Sequence, residues 1–158
     1  MHILSADQFT KKQLEELFTL TDSIKSQFLT DKNKLLKKHE GKVLITLFYE
    51  PSTRTRLSFA TAAAHMGMSV ISTENAREFS SAAKGETIED TARVLEQYYP
   101  DAIVIRHHET GEVARAAAVT KVPIINAGDG KGEHPTQSLL DMYTIWDSHK
   151  KHSGLKVV

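Results

Sequence analysis

Apolar and polar positions along the chain follow two periods, which predict helices that alternate with buried strands. From Leu14 to Phe28, apolar residues recur at helical spacing behind a capping box formed by Thr10 and Gln13, and they predict an amphipathic helix of about 18 residues. A continuous apolar run at 43–49 then has the length of a strand buried on both faces. The Lys-rich stretch 31–42 between these elements predicts a solvated connector.

Helical and strand-like patterns continue to alternate after residue 42. We predict helices at 53–66, 87–98, 112–119 and 135–149, the second of which is capped by Thr87, and strands at 43–49, 70–71, 102–105 and 123–125. Two connections stand out, a long polar loop at 72–85 and a glycine-rich loop at 126–133. The alternation predicts an α/β fold, a doubly wound parallel sheet of about four strands with helices on both faces.

Composition narrows the classes of protein that fit this chain. Its 158 residues suit one domain with a fragment of a second, and 40% of them are hydrophobic and 25% charged. Twenty basic residues balance twenty acidic ones, so the strong positive field of a nucleic-acid-binding protein is lacking. Because the sequence has no cysteine, disulfides and thiolate metal sites are excluded.

Neither a membrane span nor a leader peptide is indicated by the pattern. The longest apolar runs, such as 43–48, are far too short to cross a bilayer. The start of the chain lacks the basic and apolar regions of a signal peptide. We therefore expect a cytoplasmic enzyme or binding domain that contacts neither membranes nor nucleic acid.

The first predicted strand ends just before a run of hydroxyl and guanidinium side chains. In open parallel sheets, ligands bind beyond the carboxyl ends of the strands. The side chains at this position are Ser52, Thr53, Arg54, Thr55 and Arg56. A helix that begins here offers unpaired N–H groups and a partial positive charge, which suit a phosphate, and Arg54 adds a planar fork of donors. An ordinary helix cap with surface arginines is the alternative.

For two charged residues beside this helix start, the sequence also suggests a structural role. Glu50 would repel a phosphate, so we expect it to hold an arginine rather than the ligand. For Arg56, an ion pair with a nearby carboxylate is an alternative to ligand binding. The helix itself is rich in alanine, and Gly67 is expected to stop it.

The second and third strands are also followed by basic residues. In the polar loop, Lys84 can reach an anion together with Ser80, although an exposed lysine on a flexible loop fits as well. Arg106 follows the third strand and is expected to face the same crevice as the first motif, with a surface arginine as the alternative. His107 and His108 lack carboxylate or cysteine partners at metal-ligand spacing, so no metal site is predicted.

The glycine-rich loop after the fourth strand lets the backbone approach a ligand closely and leads into a helix with Pro135 at its first position. His134 can donate a hydrogen bond to a carbonyl oxygen, and its place at a helix N-terminus disfavours the charged imidazole. Gln137, one turn later, points to the same side and can both accept from and donate to an amide. Simple capping by His134 is the alternative.

Together these motifs resemble the transcarbamoylase family. Residues 52–56, Ser-Thr-Arg-Thr-Arg, and residues 134–137, His-Pro-Thr-Gln, match its two best-known signatures. The resemblance covers nearly the whole chain and is strongest toward the aspartate-specific branch. It is carried there by residues 48–51, 80, 84–87, 106–107 and 126–130. The ornithine-specific branch shares both signatures, and residues 90–95 are also reminiscent of it, so it remains the alternative.

The resemblance implies a reaction and a role for each candidate residue. Carbamoyl phosphate and L-aspartate would give N-carbamoyl-L-aspartate and phosphate, an early step of de novo pyrimidine biosynthesis, without a cofactor or a metal. The residues implied to bind the phosphate are Ser52, Thr53, Arg54 and Thr55. Those implied to polarise the carbamoyl carbonyl are Thr55, Arg106 and His134. Gln137 would hold the carbamoyl amide, and Ser80 and Lys84 would enter a neighbouring subunit's site.

The resemblance also implies a division into domains. Residues 1–137 would form the carbamoyl-phosphate-binding domain, 138–150 an interdomain helix, and 151–158 the start of a truncated domain that binds L-aspartate. A homotrimer with shared sites is the implied assembly, and a regulatory chain is compatible with it. The chain alone is expected to catalyse little. A non-catalytic binding or assembly domain is the alternative from another class. A nucleotide-binding domain is not favoured, because the first predicted strand is not followed by the glycine-rich loop of such domains.

Overall fold

The structure, a computed structural model, describes residues 1–76, 85–151 and 154–156. The helices in these ranges are α1 (Lys11–Thr30), α2 (Lys32–Leu36), α3 (Thr53–His65), α4 (Ile88–Glu96), α5 (Glu112–Ala118) and α6 (Pro135–His149). The strands are β1 (Val43–Phe48), β2 (Ser69–Thr73), β3 (Ala102–His107) and β4 (Ile124–Asp129). A short 3-10 helix, Ala6–Gln8, precedes α1. None of the helices in the described ranges is long and apolar enough to cross a membrane.

The strands form a parallel sheet in the order β2-β1-β3-β4. In the centre of the sheet, Ile45 lies opposite Ile71 on one side and opposite Ile103 on the other. Helices connect successive strands, so the predicted doubly wound α/β fold is confirmed. The apolar pattern did not predict one further contact, an isolated parallel bridge that Ile3 forms with Ile125 beside β4.

Alternate residues of the central strands pack on opposite faces of the sheet. Ile45 and Ile103 belong to a buried cluster that includes residues of α4 and α5. Leu44 and Val104 belong to a second buried cluster, which includes Ala63 of α3. Helices therefore cover both faces, as the uninterrupted apolar run of β1 predicts.

The two predicted helix caps are present. Thr10 and Gln13 form a reciprocal capping box at the start of α1, and the Thr87 side chain accepts from the N–H of Asp90 at the start of α4. α3 ends at His65, and the following Gly67 has a φ of 81°, a conformation that glycine adopts without strain. Cap chemistry thus located these helix ends from sequence.

One predicted connector is wrong, because residues 31–42 contain the helix α2. Asp31 caps it by accepting from the N–H of Lys34 at 3.3 Å. Leu35 is only 2% exposed, so burial of this side chain holds α2 against the rest of the protein. The many lysines of this segment indicated a solvated connector, although one of its leucines is buried.

β3 and β4 both extend beyond their predicted ends. Arg106 lies inside β3, opposite Phe48 of β1, rather than after the strand. Residues 126–129, predicted as part of a loop, belong to β4, because Asn126 pairs with Ile105 of β3 and Asp129 pairs with His107. Polar residues and glycine carry no apolar signal, so the pattern could not show these strand ends.

Candidate functional site

The strand order places a crevice at the carboxyl ends of β1 and β3. These strands are neighbours, but the chain leaves β1 toward β2 on one side and leaves β3 toward β4 on the other. In doubly wound sheets, ligands bind at such a switch point. Glu50 and α3 follow β1, and Arg106 lies near the end of β3, so the candidate chemistry is at this edge.

The N-terminus of α3 leaves its first backbone donors uncapped. Ser52 is the N-cap residue, but among the described residues its side chain makes no capping hydrogen bond. Its hydroxyl instead donates to Oγ1 of Thr55 at 3.0 Å. The N–H of Arg56 donates to the Ser52 carbonyl at 3.0 Å and begins the helical bonding. The N–H groups of residues 53–55 thus have the arrangement of an anion site.

Arg56 has the structural role that was the alternative to ligand binding. Its guanidinium pairs with Glu74 at 2.9 Å and donates to Oγ of Ser72 at 3.4 Å. Ser72 also accepts from the hydroxyl of Thr46 in β1 at 2.8 Å. These contacts join the first turn of α3 to β1 and β2, so they fix the direction in which the helix N-terminus points.

Arg106 is held by two acceptors at the edge of the sheet. One terminal nitrogen donates to Oε1 of Glu50 at 2.8 Å, and the other donates to the carbonyl of Ala127 at 3.1 Å. The expectation that Glu50 holds an arginine is therefore confirmed. A guanidinium has five N–H donors, so these two contacts orient Arg106 and leave terminal N–H groups for a ligand.

The close approach of β4 to Arg106 requires glycine at position 128. Gly128 has a φ of 123°, and a Cβ built there would lie 2.4 Å from a terminal nitrogen of Arg106 and 3.0 Å from its Cζ. Its N–H donates to Oδ1 of Asn126 at 2.9 Å. Asn126 also donates to the carbonyl of Leu4 at 3.0 Å. The buried Asn126 thus supports this end of β4, a role that the sequence analysis missed.

His134 is the N-cap residue of α6, and its ring has a defined tautomer. Nδ1 accepts from the backbone N–H of Gln137 at 3.3 Å. Because a backbone N–H can only donate, Nδ1 is unprotonated in the neutral ring and the proton lies on Nε2. The Oγ1 atom of Thr136 also lies 3.3 Å from Nδ1. Nε2–H is therefore the donor that His134 can offer to a ligand.

The pKa of His134 is lowered, first by burial and then by the positive charge of Arg106. The direction agrees with the expectation from sequence, but the main cause is desolvation rather than the position at a helix N-terminus. The effect of Arg106 also indicates that the two side chains lie within electrostatic range of each other. Residues from β3 and α6 therefore share one environment.

A cavity of about 460 Å³ joins the start of α3 to the start of α6. Four of the candidate residues line it, namely Arg54, Thr55, His134 and Gln137. The rest of its wall consists of residues from α1, α3 and α6, including Phe18, Phe59 and Tyr143. Two of the sequence motifs thus meet in space, although about 80 residues separate them along the chain.

The remaining candidate residues have other positions. Ser52 and Thr53 lie at the same helix start and Arg106 lies on β3, and none of these three residues is among those that line the cavity. Ser80 and Lys84 lie outside the described residues. His107 packs its ring against that of Tyr49, with centroids 4.7 Å apart. No group of three or more His, Asp or Glu side chains in the described ranges is arranged to hold a metal ion.

Comparison with known proteins gives a family match over most of the chain. The model of the family described as "Aspartate/ornithine carbamoyltransferase, carbamoyl-P binding domain" matches residues 1–147. Aspartate carbamoyltransferase 1, chloroplastic, of Pisum sativum is 51% identical over 156 residues, which are 98% of this chain and 39% of that protein. The aspartate carbamoyltransferase catalytic subunit of Methanocaldococcus jannaschii is 45% identical over 156 residues, 99% of this chain and 50% of that protein.

Solved structures show the same fold. Aspartate transcarbamoylase from Trypanosoma cruzi in complex with carbamoyl phosphate matches with a TM-score of 0.85 and 38% identity over 95% of this chain and 47% of that chain. The catalytic subunit of Methanocaldococcus jannaschii aspartate transcarbamoylase matches with a TM-score of 0.86 and 44% identity over 95% and 48%. The chain thus spans half or less of the length of these relatives.

Proposed function

Because the chain belongs to the aspartate/ornithine carbamoyltransferase family, whose carbamoyl-P binding domain matches residues 1–147, we propose that it supplies the carbamoyl-phosphate site of an aspartate carbamoyltransferase. The whole enzyme would transfer the carbamoyl group to L-aspartate, giving N-carbamoyl-L-aspartate and phosphate in pyrimidine biosynthesis. The observation that carries the proposal is the cavity in which Arg54 and Thr55 meet His134 and Gln137. A Trypanosoma cruzi relative has been solved with carbamoyl aspartate and phosphate, the products of this reaction.

The phosphate is proposed to bind at the start of α3. The uncapped N–H groups of residues 53–55 and the hydroxyls of Ser52, Thr53 and Thr55 would donate to its oxygens. Arg54 would pair with two of them through its planar guanidinium. Since the chain is neutral overall, selectivity for an anion must come from this local arrangement.

The carbamoyl carbonyl is proposed to face Arg106, His134 and Thr55. When the amine of L-aspartate attacks the carbonyl carbon, negative charge develops on its oxygen, and fixed donors stabilise that charge more than the ground state. Removing one such donor typically raises the barrier by about 3–4 kcal/mol. Nε2–H of His134 is held in place by the hydrogen bond that Nδ1 accepts, which is the kind of preorganisation that this catalysis requires.

Bond changes in the proposed reaction need no covalent enzyme intermediate. The new C–N bond forms as the bond from carbon to the phosphate oxygen breaks, and the phosphate leaves with the electron pair. Cations around the phosphate stabilise it as a leaving group. The departing phosphate would take the proton of the attacking amine.

Several parts of the proposal concern the assembled enzyme. We propose that residues 1–137 form the carbamoyl-phosphate domain, that 138–150 connect it to an L-aspartate domain, and that 151–158 begin that domain. Ser80 and Lys84 would complete the site of a neighbouring subunit in a homotrimer, with which a regulatory chain is compatible. A cytoplasmic location is part of the same proposal, although some relatives are chloroplastic.

The second candidate is an ornithine carbamoyltransferase, which would use the same carbamoyl-phosphate site. The family match covers both branches, whereas the relatives compared above are aspartate enzymes. Assaying the full-length protein with L-aspartate and with L-ornithine as acceptors separates the two candidate functions, because product should form with L-aspartate and not with L-ornithine.

The phosphate site is tested by calorimetric titration of this chain with carbamoyl phosphate. We expect Arg54→Ala to weaken binding by at least about tenfold, since a hydrogen bond to a charged group is worth about 1.5–3 kcal/mol. Arg93→Ala is the matched control, because Arg93 is an exposed arginine on α4 that pairs with Asp90. Equal affinities for wild type and Arg54→Ala would refute the assignment of the phosphate site.

A further inference from the structure

Gln137 makes a hydrogen bond that neither the sequence motifs nor the proposed function accounts for. Its side-chain nitrogen Nε2 donates to Oδ1 of Asp141, one turn further along α6, at 2.9 Å. We infer that Asp141 is a positioning residue, which fixes the orientation of the Gln137 amide and so makes the site selective for a ligand that carries an NH₂ group beside its carbonyl. This inference rests on the proposed function.

The chemistry of a carboxylate sets the direction of this hydrogen bond. An ionised carboxylate can only accept, whereas the two ends of a glutamine amide differ, one accepting and the other donating. The NH₂ end of Gln137 must therefore face Asp141, and the carbonyl oxygen Oε1 is directed elsewhere. Since Gln137 lines the cavity, that oxygen is the acceptor which the side chain can offer to a ligand there.

The other side chains that are proposed to face the ligand are donors. Arg106 can only donate, and the neutral ring of His134 offers Nε2–H because Nδ1 already accepts from the N–H of Gln137. These donors suit the carbonyl oxygen of a carbamoyl group, but its NH₂ group needs an acceptor. A Gln137 amide turned the other way would present a third donor and leave that NH₂ group unpaired.

Asp141 also affects the same site electrostatically. Its negative charge raises the pKa of His134, although the stronger effects of burial and of Arg106 keep that pKa below its usual value. Asp141 thus lies within electrostatic range of the imidazole as well as in contact with Gln137. Both side chains are exposed in this chain, so water competes for the contact and the expected selectivity is moderate.

A purely structural reading is that the two residues form an ordinary pair on the surface of a helix. Glutamine and aspartate four residues apart stabilise a helix slightly. Such a pair would affect thermal stability slightly and would not distinguish between ligands. The test therefore needs a ratio of affinities rather than a single affinity.

Two stable ligands supply that ratio. Phosphonoacetamide and acetonylphosphonate share the phosphonate and the carbonyl group and differ in having NH₂ or CH₃ on the carbonyl carbon. We expect wild type to bind the amide about three- to tenfold more tightly, the value of one solvent-exposed hydrogen bond, and Asp141→Ala to reduce the ratio to below about twofold. Because both ligands carry the same charge, the lost carboxylate charge cancels in the ratio.

The variants are chosen to separate orientation from charge and from helix stability. Asp141→Asn keeps an acceptor oxygen and should retain part of the preference. Asp147→Ala removes a carboxylate from the same helix, where Asp147 pairs with Lys25 and Lys150, and should leave the ratio at its wild-type value. All variants should show the helical circular dichroism of wild type.

Each outcome of the titrations bears on a definite claim. A wild-type ratio in Asp141→Ala, together with normal binding of phosphonoacetamide by wild type, would overturn the role of Asp141 and leave the proposed function standing. Failure of wild type to bind either phosphonate would overturn the proposed function and this inference with it. Loss of the preference in Asp141→Ala and not in Asp147→Ala supports the inference.

Discussion

Replacing Gly128 by alanine should displace Arg106 without disturbing the proposed phosphate site. The added Cβ would lie 2.4 Å from a terminal nitrogen of Arg106, whereas unstrained contacts between heavy atoms begin near about 3.5 Å. The guanidinium must therefore move by about 1 Å, the difference between these distances. Its hydrogen bond to the Ala127 carbonyl, now 3.1 Å long, cannot survive a shift of that size away from β4.

The loss in binding can be worked out from this displacement. A hydrogen bond from a charged donor is worth about 1.5–3 kcal/mol, so losing the contact between Arg106 and the carbamoyl oxygen should weaken carbamoyl phosphate binding about 10- to 150-fold. In a full-length enzyme, a misplacement of about 1 Å can also cost about 100-fold in rate. Inorganic phosphate, which would contact the start of α3, should bind Gly128→Ala and wild type equally.

Calorimetric titration of the two ligands against matched variants measures this effect. Gly41→Ala is the control, because Gly41 also has a positive φ, 81°, but a Cβ there meets nothing within 4 Å. It should share the backbone strain of Gly128→Ala and keep wild-type affinity for carbamoyl phosphate. If Gly128→Ala binds carbamoyl phosphate as tightly as Gly41→Ala does, the assigned role of Arg106 is wrong.

Two further predictions concern stability and ionisation. Gly67→Ala should lower the free energy of unfolding, measured in urea, because the added Cβ would lie 1.7 Å from the backbone oxygen of Leu36. The loss should exceed the cost of a strained φ, which is about 1–3 kcal/mol. A loss no larger than that of Gly41→Ala would contradict this prediction. The NMR titration of His134 should give a pKa below 6.5, and Arg106→Gln should raise it, since the positive charge of Arg106 lowers it. The contribution of neutral His134 to the free energy of unfolding is then complete above pH 6.5 and is lost as the pH falls below that value. If the pKa of His134 is unchanged in Arg106→Gln, the two side chains are not coupled.

The fold could be predicted from sequence where a single local signal decides the structure. The apolar run of β1 indicates burial on both faces, and the hydroxyls of Thr10 and Thr87 mark helix starts. The helix α2 was not predictable in this way, because it depends on Leu35 finding a buried place among distant residues. The ends of β3 and β4 depend likewise on pairing partners rather than on the residues themselves.

The candidate site was predictable because the topology has few solutions. Once the strands are parallel, their carboxyl ends share one side of the sheet, so Arg54 and His134 are expected on that side, and both line the same cavity. The role of Glu50 was predictable from its charge, since a carboxylate beside a proposed phosphate site needs a cationic partner, and Arg106 is that partner. The main cause of the lowered His134 pKa was missed, because burial cannot be judged from sequence position.

The supporting residues of the site could not be predicted, because their roles depend on three-dimensional contacts. Asn126 was noticed only as part of a motif, yet its side chain bonds both to Gly128 and to the N-terminal segment through Leu4. Its role depends on Ile3 pairing beside β4, which no local pattern shows. Asp141 had no signal other than its spacing from Gln137.

Side chains from three parts of the chain are proposed to converge on one ligand. The most direct test is to follow the backbone amide and imidazole NMR signals of this chain during titration with carbamoyl phosphate. This convergence predicts that the largest shifts occur at Thr53, Arg54 and Thr55 and at the ring of His134, with a common dissociation constant. Shifts confined to the opposite edge of the sheet, around Tyr99 and Lys121, would contradict it.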